Sequence, residues 1–206
     1  MSSVRLKRPG TIYFLSNFYS LLTGLAFTVI VTRSLTVDDF GLWSMISQYI
    51  GYTAIPLSNI ASFWIVRFVA RGFKQAPSSG ILFATILSLI GLPLYSAVAL
   101  WASITFSQSI FFIILATPQV ITYIFLGALS SIATGISPEQ IGVSSIIFET
   151  GKVALAYFLV RLLSRGLEGA IISVVLAQLI QLGYLLVIFR KSISRQLIDK
   201  GLTKKW

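Results

Sequence analysis

The sequence contains no cysteine and no histidine, and only 11% of its 206 residues are charged. The missing residue types exclude disulfides, thiolate zinc sites, cysteine nucleophiles and histidine-based acid–base catalysis. Charged residues make up about a quarter of an average soluble domain, so this chain lies outside that class. We therefore expect neither an enzyme nor a bound cofactor.

Apolar residues dominate instead, with 56% hydrophobic residues and a mean hydropathy of +0.89. A helix needs about 20 apolar residues to cross a bilayer core of about 30 Å. Segments of that length cover residues 11–32, 40–63, 80–106, 110–133, 141–160 and 167–189, and the second could extend to residue 69. The short-period alternation of a membrane β-barrel is missing. The sequence predicts an all-α, polytopic membrane helix bundle with six transmembrane helices.

The distribution of basic residues predicts the orientation of the bundle. Twelve of the 16 Lys and Arg residues lie on the side that holds both termini, three lie on the opposite side, and Lys152 lies within a segment. By the positive-inside rule, both termini are cytoplasmic in a multi-pass protein of the cell membrane. Residues 1–10 are then a cytoplasmic segment, 11–190 the bundle, and 191–206 a basic cytoplasmic tail. Because the charges separate apolar runs, nucleic acid is not an expected partner.

Glu149 and Lys152 are ionisable residues within the fifth apolar segment. Such residues are costly in a bilayer and are often functional. Their i, i+3 spacing places them on one helix face, close enough to neutralise each other. Two interpretations remain open. The pair could be self-neutralising in the bundle interior, or Lys152 could bind an anionic substrate while Glu149 tunes it or holds a coupling ion.

Other polar features permit both structural and functional interpretations. Five amides lie within the apolar segments and could bond between helices or line a cavity that binds sugar hydroxyls: Asn17, Gln48, Asn59, Gln178 and Gln181. Four small residues at four-residue spacing predict a helix-packing face on the first helix: Ser16, Ser20, Gly24 and Thr28. Three prolines predict kinks in the second, third and fourth helices: Pro56, Pro93 and Pro118. Arg33 and Arg67 end helices, where interfacial anchoring is their usual role.

Residues 31–43, with the sequence VTRSLTVDDFGLW, resemble the start of the polysaccharide-biosynthesis flippases. That family belongs to the multidrug/oligosaccharidyl-lipid/polysaccharide exporter superfamily. The shared features are an Arg-x-Leu pattern, a short acidic turn and a Phe-Gly-Leu that opens the next helix. The similarity continues through the Arg-x-x-Ala-Arg of residues 67–71, then through residues 151–152 and 166–170, and so spans residues 10–190.

The resemblance implies movement of a lipid-linked oligosaccharide or polysaccharide precursor across the membrane, with no bond made or broken. Basic residues in the family's central cavity attract the phosphate of the lipid carrier, through strong charge-assisted hydrogen bonds. On this basis Lys152 and Arg33 are the first candidates for substrate contact and Arg67 is the third. Asn17 and Gln48 complete the predicted substrate site.

The same resemblance also implies a missing half, since family members have two lobes and this chain corresponds to the N-terminal six-helix lobe. The substrate path lies between two such repeats. The chain could be part of a longer transporter, a half-transporter that pairs with a second copy or a separate lobe, or a remnant without transport. Membrane lipid and a lipid-linked sugar are the expected small partners.

Two other functions remain open from the residues. One is an ion-coupled exporter of small cations or drugs, with Glu149 as the proton or sodium site. The other is a scaffold subunit of a glycan-assembly complex, whose basic tail from Arg190 to Lys205 binds anionic lipid or a protein partner.

Overall fold

A computed structural model describes residues 4–194 of the chain, with the side chains of residues 10–193. The described chain is helical apart from short turns. Its elements are α1 (Val4–Ser34), α2 (Val37–Ala70), α3 (Ala76–Phe106), α4 (Ile110–Leu115), α5 (Pro118–Ile136), α6 (Glu139–Ala156) with a π-helical continuation (Tyr157–Leu162), and α7 (Gly166–Ser194).

Six helical spans within residues 4–194 are long and apolar enough to cross a membrane. The predicted all-α bundle of six spanning helices is therefore confirmed. α1 begins at Val4, inside the segment predicted to precede the bundle, and α7 extends past residue 190 to Ser194. Residues 1–3 and most of the predicted basic tail, 195–206, lie outside the described residues.

The three prolines act differently on their helices. Pro118 is the first residue of α5, so the fourth span is divided into α4 and α5 by a turn at Ala116 and Thr117. Proline is tolerated at a helix start because its missing N–H has no partner to lose there. Pro56 and Pro93 instead lie inside α2 and α3, which continue past them.

The turn between α1 and α2 is closed by a helix cap. The Thr36 hydroxyl accepts a hydrogen bond from the Asp39 backbone N–H at 3.2 Å. Asp38 and Asp39 lie in the first turn of α2, where negative charge is favourable beside the unpaired N–H groups. The stretch of residues 31–43, where the flippase resemblance is first recognised, thus contains a tight, capped connection between α1 and α2.

The helices form two groups that share α7. α2, α3 and α5 pack against one another, whereas α1 packs on α6, and α6 packs on α7. α7 also contacts α5. The larger hydrophobic core joins the first group to α7, and a smaller core lies between α1, α6 and α7 around Phe27, Val31 and Ala156. This division leaves space between α2 and α5 on one side and α6 and α7 on the other.

The outer surface of the bundle is apolar. Large side chains such as Phe63 and Ile104 are 78% and 80% exposed. Contiguous exposed apolar surface of this extent is unfavourable in water, and in a bilayer the same side chains contact lipid. The apolar outer surface and the helix lengths therefore both indicate a bundle that spans a membrane.

Candidate functional site: a polar cavity beside a buried ion pair

The space between the two helix groups is a polar cavity of about 390 Å³, which we call the serine-rich cavity. α2, α5, α6 and α7 all contribute to its wall. Its polar lining consists of hydroxyls and amides: Ser58, Asn59, Ser62, Tyr123, Ser130, Ser131, Thr134, Gln178 and Gln181. Polar groups in an apolar medium are costly unless they are bonded or hydrated. A cavity with this lining is therefore suited to water or a polar ligand.

α7 is held to both neighbouring helices through two of the cavity amides. The Thr122 hydroxyl on α5 donates to Gln178 Oε1 at 2.7 Å, and Gln181 Nε2 donates to the Ser144 hydroxyl on α6 at 3.4 Å. Gln178 and Gln181 therefore both bond between helices and line the cavity, and the binding of sugar hydroxyls there stays a prediction. Asn59 lines the same cavity.

Glu149 and Lys152 form the predicted ion pair, with 2.8 Å between Lys152 Nζ and Glu149 Oε2. The side chains are only 13% exposed for Lys152 and 11% for Glu149. The Thr23 hydroxyl on α1 lies 2.8 Å from the same carboxylate oxygen and 2.8 Å from the Tyr19 carbonyl of its own helix, so its single proton is shared between these two acceptors. The same oxygen of Glu149 is thus bonded to Lys152 on α6 and to Thr23 on α1.

Two aromatic rings flank the ammonium group of Lys152. Nζ lies 5.2 Å from the centroid of Phe27 and 5.0 Å from that of Phe148, within the range of cation–π attraction. Phe148 lines the serine-rich cavity. Phe27 lines a different cavity of about 220 Å³ between α1 and the start of α2, which also includes Gln48 and which we call the Gln48 cavity. Lys152 therefore lies between two cavities.

The structure separates the predicted substrate residues. Glu149 is buried and Lys152 half-buried beside the serine-rich cavity, and Gln48 lines the Gln48 cavity. Arg33 and Arg67 are exposed at the ends of α1 and α2, and Asn17 is exposed on α1. None of these three residues lines the serine-rich cavity or the Gln48 cavity. Their assignment to one substrate site stays a prediction.

The hydroxyls of α2 and α5 were not predicted as site residues. Ser58 and Ser62 on α2, and Ser130 and Thr134 on α5, recur at the four-residue spacing that places side chains on one helix face. That spacing is a usable signal, but serine and threonine also occur on packing faces, so their spacing alone does not define a cavity. Within residues 4–194, no group of three or more potential metal ligands is present.

Six apolar spans, a lipid-type surface and a polar interior define a multi-pass helical membrane protein. No protein-family model, curated protein or solved structure matches the chain.

Proposed function

We propose that this protein is one lobe of a flippase-type transporter of the cell membrane. Its substrate would be a lipid-linked oligosaccharide or polysaccharide precursor, and both termini would be cytoplasmic. The observation that carries the proposal is the serine-rich cavity, with the half-buried Lys152 behind its Phe148 wall. It supplies the two groups that such a substrate requires, a polar surface for sugar and a cation for phosphate.

The cavity lining is chemically suited to a sugar. Serine and threonine hydroxyls both donate and accept hydrogen bonds, and amides offer donors and an acceptor. A sugar ring with several hydroxyls can use all of these groups in place of water. Tyr123 and Phe148 add aromatic surface to the same wall. The cavity is uncharged at its lining, which agrees with a neutral glycan.

Lys152 is suited to a phosphate because of its position rather than its present partner. Its ammonium group is bound to Glu149 at 2.8 Å, so an incoming phosphate would compete with that carboxylate. Charge-assisted bonds to phosphate are strong in a poorly hydrated site. The Thr23 hydroxyl would remain to hold Glu149 as Lys152 changed partner. A small cation would have to compete for Glu149 alone, because the lining of the serine-rich cavity contains no carboxylate.

The open side of the serine-rich cavity supports a requirement for a second lobe. Asn59, Tyr123 and Thr134 line it but remain exposed in the single chain. A second copy related by two-fold symmetry, or a separate six-helix lobe, would cover these residues and complete the path. The chain is then a half-transporter whose substrate contacts both halves.

Translocation of a fluorescent lipid-linked sugar in reconstituted vesicles tests the proposal. We expect transport by the chain, alone or with a second lobe, and at least tenfold slower transport by Lys152→Gln. Arg161→Gln removes an exposed positive charge at the end of the π-helical segment and is the matched control. Absence of movement under both conditions would exclude the flippase, and equal rates for the two variants would exclude Lys152 as its phosphate contact.

A further inference from the structure

A separate pocket lies at one end of the bundle, where α2, α5 and α7 end and α3 begins. It has a volume of about 580 Å³. Both polar and apolar residues line it: Val69, Gly72, Phe73, Lys74, Pro77, Ile136, Lys191 and Ser192. We call it the lysine pocket. It shares no lining residue with the serine-rich cavity.

The lysine pocket is positively charged. Lys74 and Lys191 are exposed, and neither forms an ion pair with any described residue. At this end of the described chain the acidic residue is Glu139, in the first turn of α6, and it does not line the pocket. Among the described residues, the two ammonium groups therefore have no acidic partner.

The two lysines are brought together by contacts between α3 and α7. The Ser78 hydroxyl, in the first turn of α3, donates to the backbone carbonyl of Ile193 near the end of α7. Gly72 permits the tight α2–α3 turn with its positive φ of 77°. The segments that carry Lys74 and Lys191 are thus fixed beside each other before any ligand binds.

The remaining wall of the lysine pocket is apolar. Val69, Ile136 and Pro77 line it next to the lysines, and Ser192 adds a hydroxyl. The pocket lies where membrane spans end, which is the level of lipid head groups. An inorganic phosphate would use the cationic part and leave the apolar wall in contact with water. An anionic phospholipid matches both parts.

We propose that the lysine pocket binds the head group of an anionic phospholipid. The lipid phosphate contacts Lys74 and Lys191, Ser192 donates to a phosphate oxygen, and the glycerol and upper acyl chains follow Val69 and Ile136. Basic pockets between membrane helices are a recognised form of lipid site. The inference does not depend on transport.

Native mass spectrometry of the full chain, released from detergent with added phospholipid, measures this binding. We expect phosphatidylglycerol to be retained more than phosphatidylcholine. Lys74→Gln combined with Lys191→Gln should weaken retention of phosphatidylglycerol about tenfold or more, since each basic residue near a charged membrane surface contributes substantially to the attraction. Arg161→Gln with Arg165→Gln removes the same charge at other positions and should change it little. Lys74→Arg with Lys191→Arg should retain binding and shows that the pocket still folds.

Three results would overturn the proposal. One is equal loss in the two charge-removing variants, which would indicate general attraction. Another is equal retention of both lipids by the unmodified chain. The third is displacement of phosphatidylglycerol by inorganic phosphate at equimolar concentration, which would identify free phosphate as the ligand.

Discussion

Two helix contacts can be compared, that of α2 with α5 and that of α1 with α6. In each contact the two helices run in the same direction, but the side chains that form the two contacts differ. α2 and α5 meet through small residues. A Cβ at Gly127 would overlap the Ser58 hydroxyl, and a Cβ at Gly135 would overlap the Val69 side chain. Ser62 on α2 adds a hydrogen bond to the Gly127 carbonyl at 3.3 Å. Backbones approach closely here because side chains are nearly absent.

α1 and α6 approach closely near the start of each helix, where a Cβ at Gly142 would lie 2.9 Å from Ile12 Cγ2. Farther along, polar groups replace the small residues. Tyr19 and Thr150 share a hydrogen bond of 2.8 Å, and Thr23 bonds to Glu149. Lys152, which pairs with Glu149, lies one turn farther along α6.

The difference shows which contact can respond to a ligand. The α2–α5 contact depends on the fit of small groups, and such packing has no alternative partner to exchange. The α1–α6 contact depends on a carboxylate shared by a lysine and a hydroxyl, and an anion could take one of these partners. We infer that α2 and α5 form a fixed wall of the serine-rich cavity. α6 contributes Phe148 to the same cavity and is bonded to α1 through Glu149, and it forms the responsive wall.

The largest expected effect comes from breaking the ion pair. Lys152→Met leaves Glu149 buried with only the Thr23 hydroxyl as a described partner. Removing one member of a buried pair leaves an uncompensated charge, so we expect a loss of about 3 kcal/mol in the free energy of unfolding. Steric trapping in bicelles measures this quantity for membrane proteins.

The double variant Glu149→Gln with Lys152→Met is the control for that measurement. It removes both charges, and we expect it to be more stable than Lys152→Met alone. The two substitutions should therefore be strongly coupled. Additive losses would show that the two side chains do not stabilise each other, and the proposed responsive wall would lose its basis.

A smaller effect is expected at the close contact of α2 with α5. Gly127→Ala places a methyl group against the Ser58 hydroxyl, and overpacking of this kind costs about 2 kcal/mol. Adding Ser58→Ala should restore part of the loss, because the remaining Ser58 Cβ is 3.3 Å from the new methyl position. Both variants can be compared by the same unfolding measurement.

Gly24→Ala on α1 is the matched control, since a Cβ at Gly24 meets no atom within 4 Å. Its unfolding free energy should stay the same or rise, because alanine favours a helix over glycine. Equal losses at positions 24 and 127 would contradict the assignment of α2 and α5 as a closely packed wall.

The helices and the ion pair could be predicted from the sequence because their signals are local. Length and hydropathy defined the spans, and the i, i+3 spacing of Glu149 and Lys152 predicted their contact. The division of the fourth span was only partly foreseen. Pro118 predicted a kink, whereas the structure ends α4 at Leu115 and starts a new helix at the proline.

The serine-rich cavity could not be predicted because it depends on which helices are neighbours. Ser58 on α2 and Gln181 on α7 face the same space only through the tertiary arrangement. The small-residue face predicted for α1 shows the same limit. Ser16 is buried and lies near Gly142, whereas a Cβ at Gly24 would meet no atom within 4 Å, so the described chain covers the predicted face at Ser16 and leaves it open at Gly24. Spacing identifies a face and does not say what covers it.

The smallest expected effect, and the one that most directly tests the responsive wall, is at Thr23. Thr23→Val keeps the shape of the side chain and removes its hydrogen bond to Glu149, together with its bonds to the Tyr19 and Ser20 carbonyls within α1. Interhelical hydrogen bonds in membranes contribute about 0.6 kcal/mol on average, and a charged acceptor raises this, so we expect a loss of about 1 kcal/mol. Thr85→Val is the control, because the Thr85 hydroxyl bonds only within α3, to the Ile81 carbonyl, among the described contacts.

The comparison of these two threonines decides whether α1 is held through the ion pair. If it is, Thr23→Val should cost less in a Glu149→Gln background, where the acceptor has lost its charge, while Thr85→Val should cost the same in both. An unchanged loss at Thr23 would mean that the hydroxyl contributes through packing or through its hydrogen bonds within α1. α1 would then have no direct connection to the charge state of Glu149, and a phosphate that displaced Lys152 could not be sensed along that helix through Thr23.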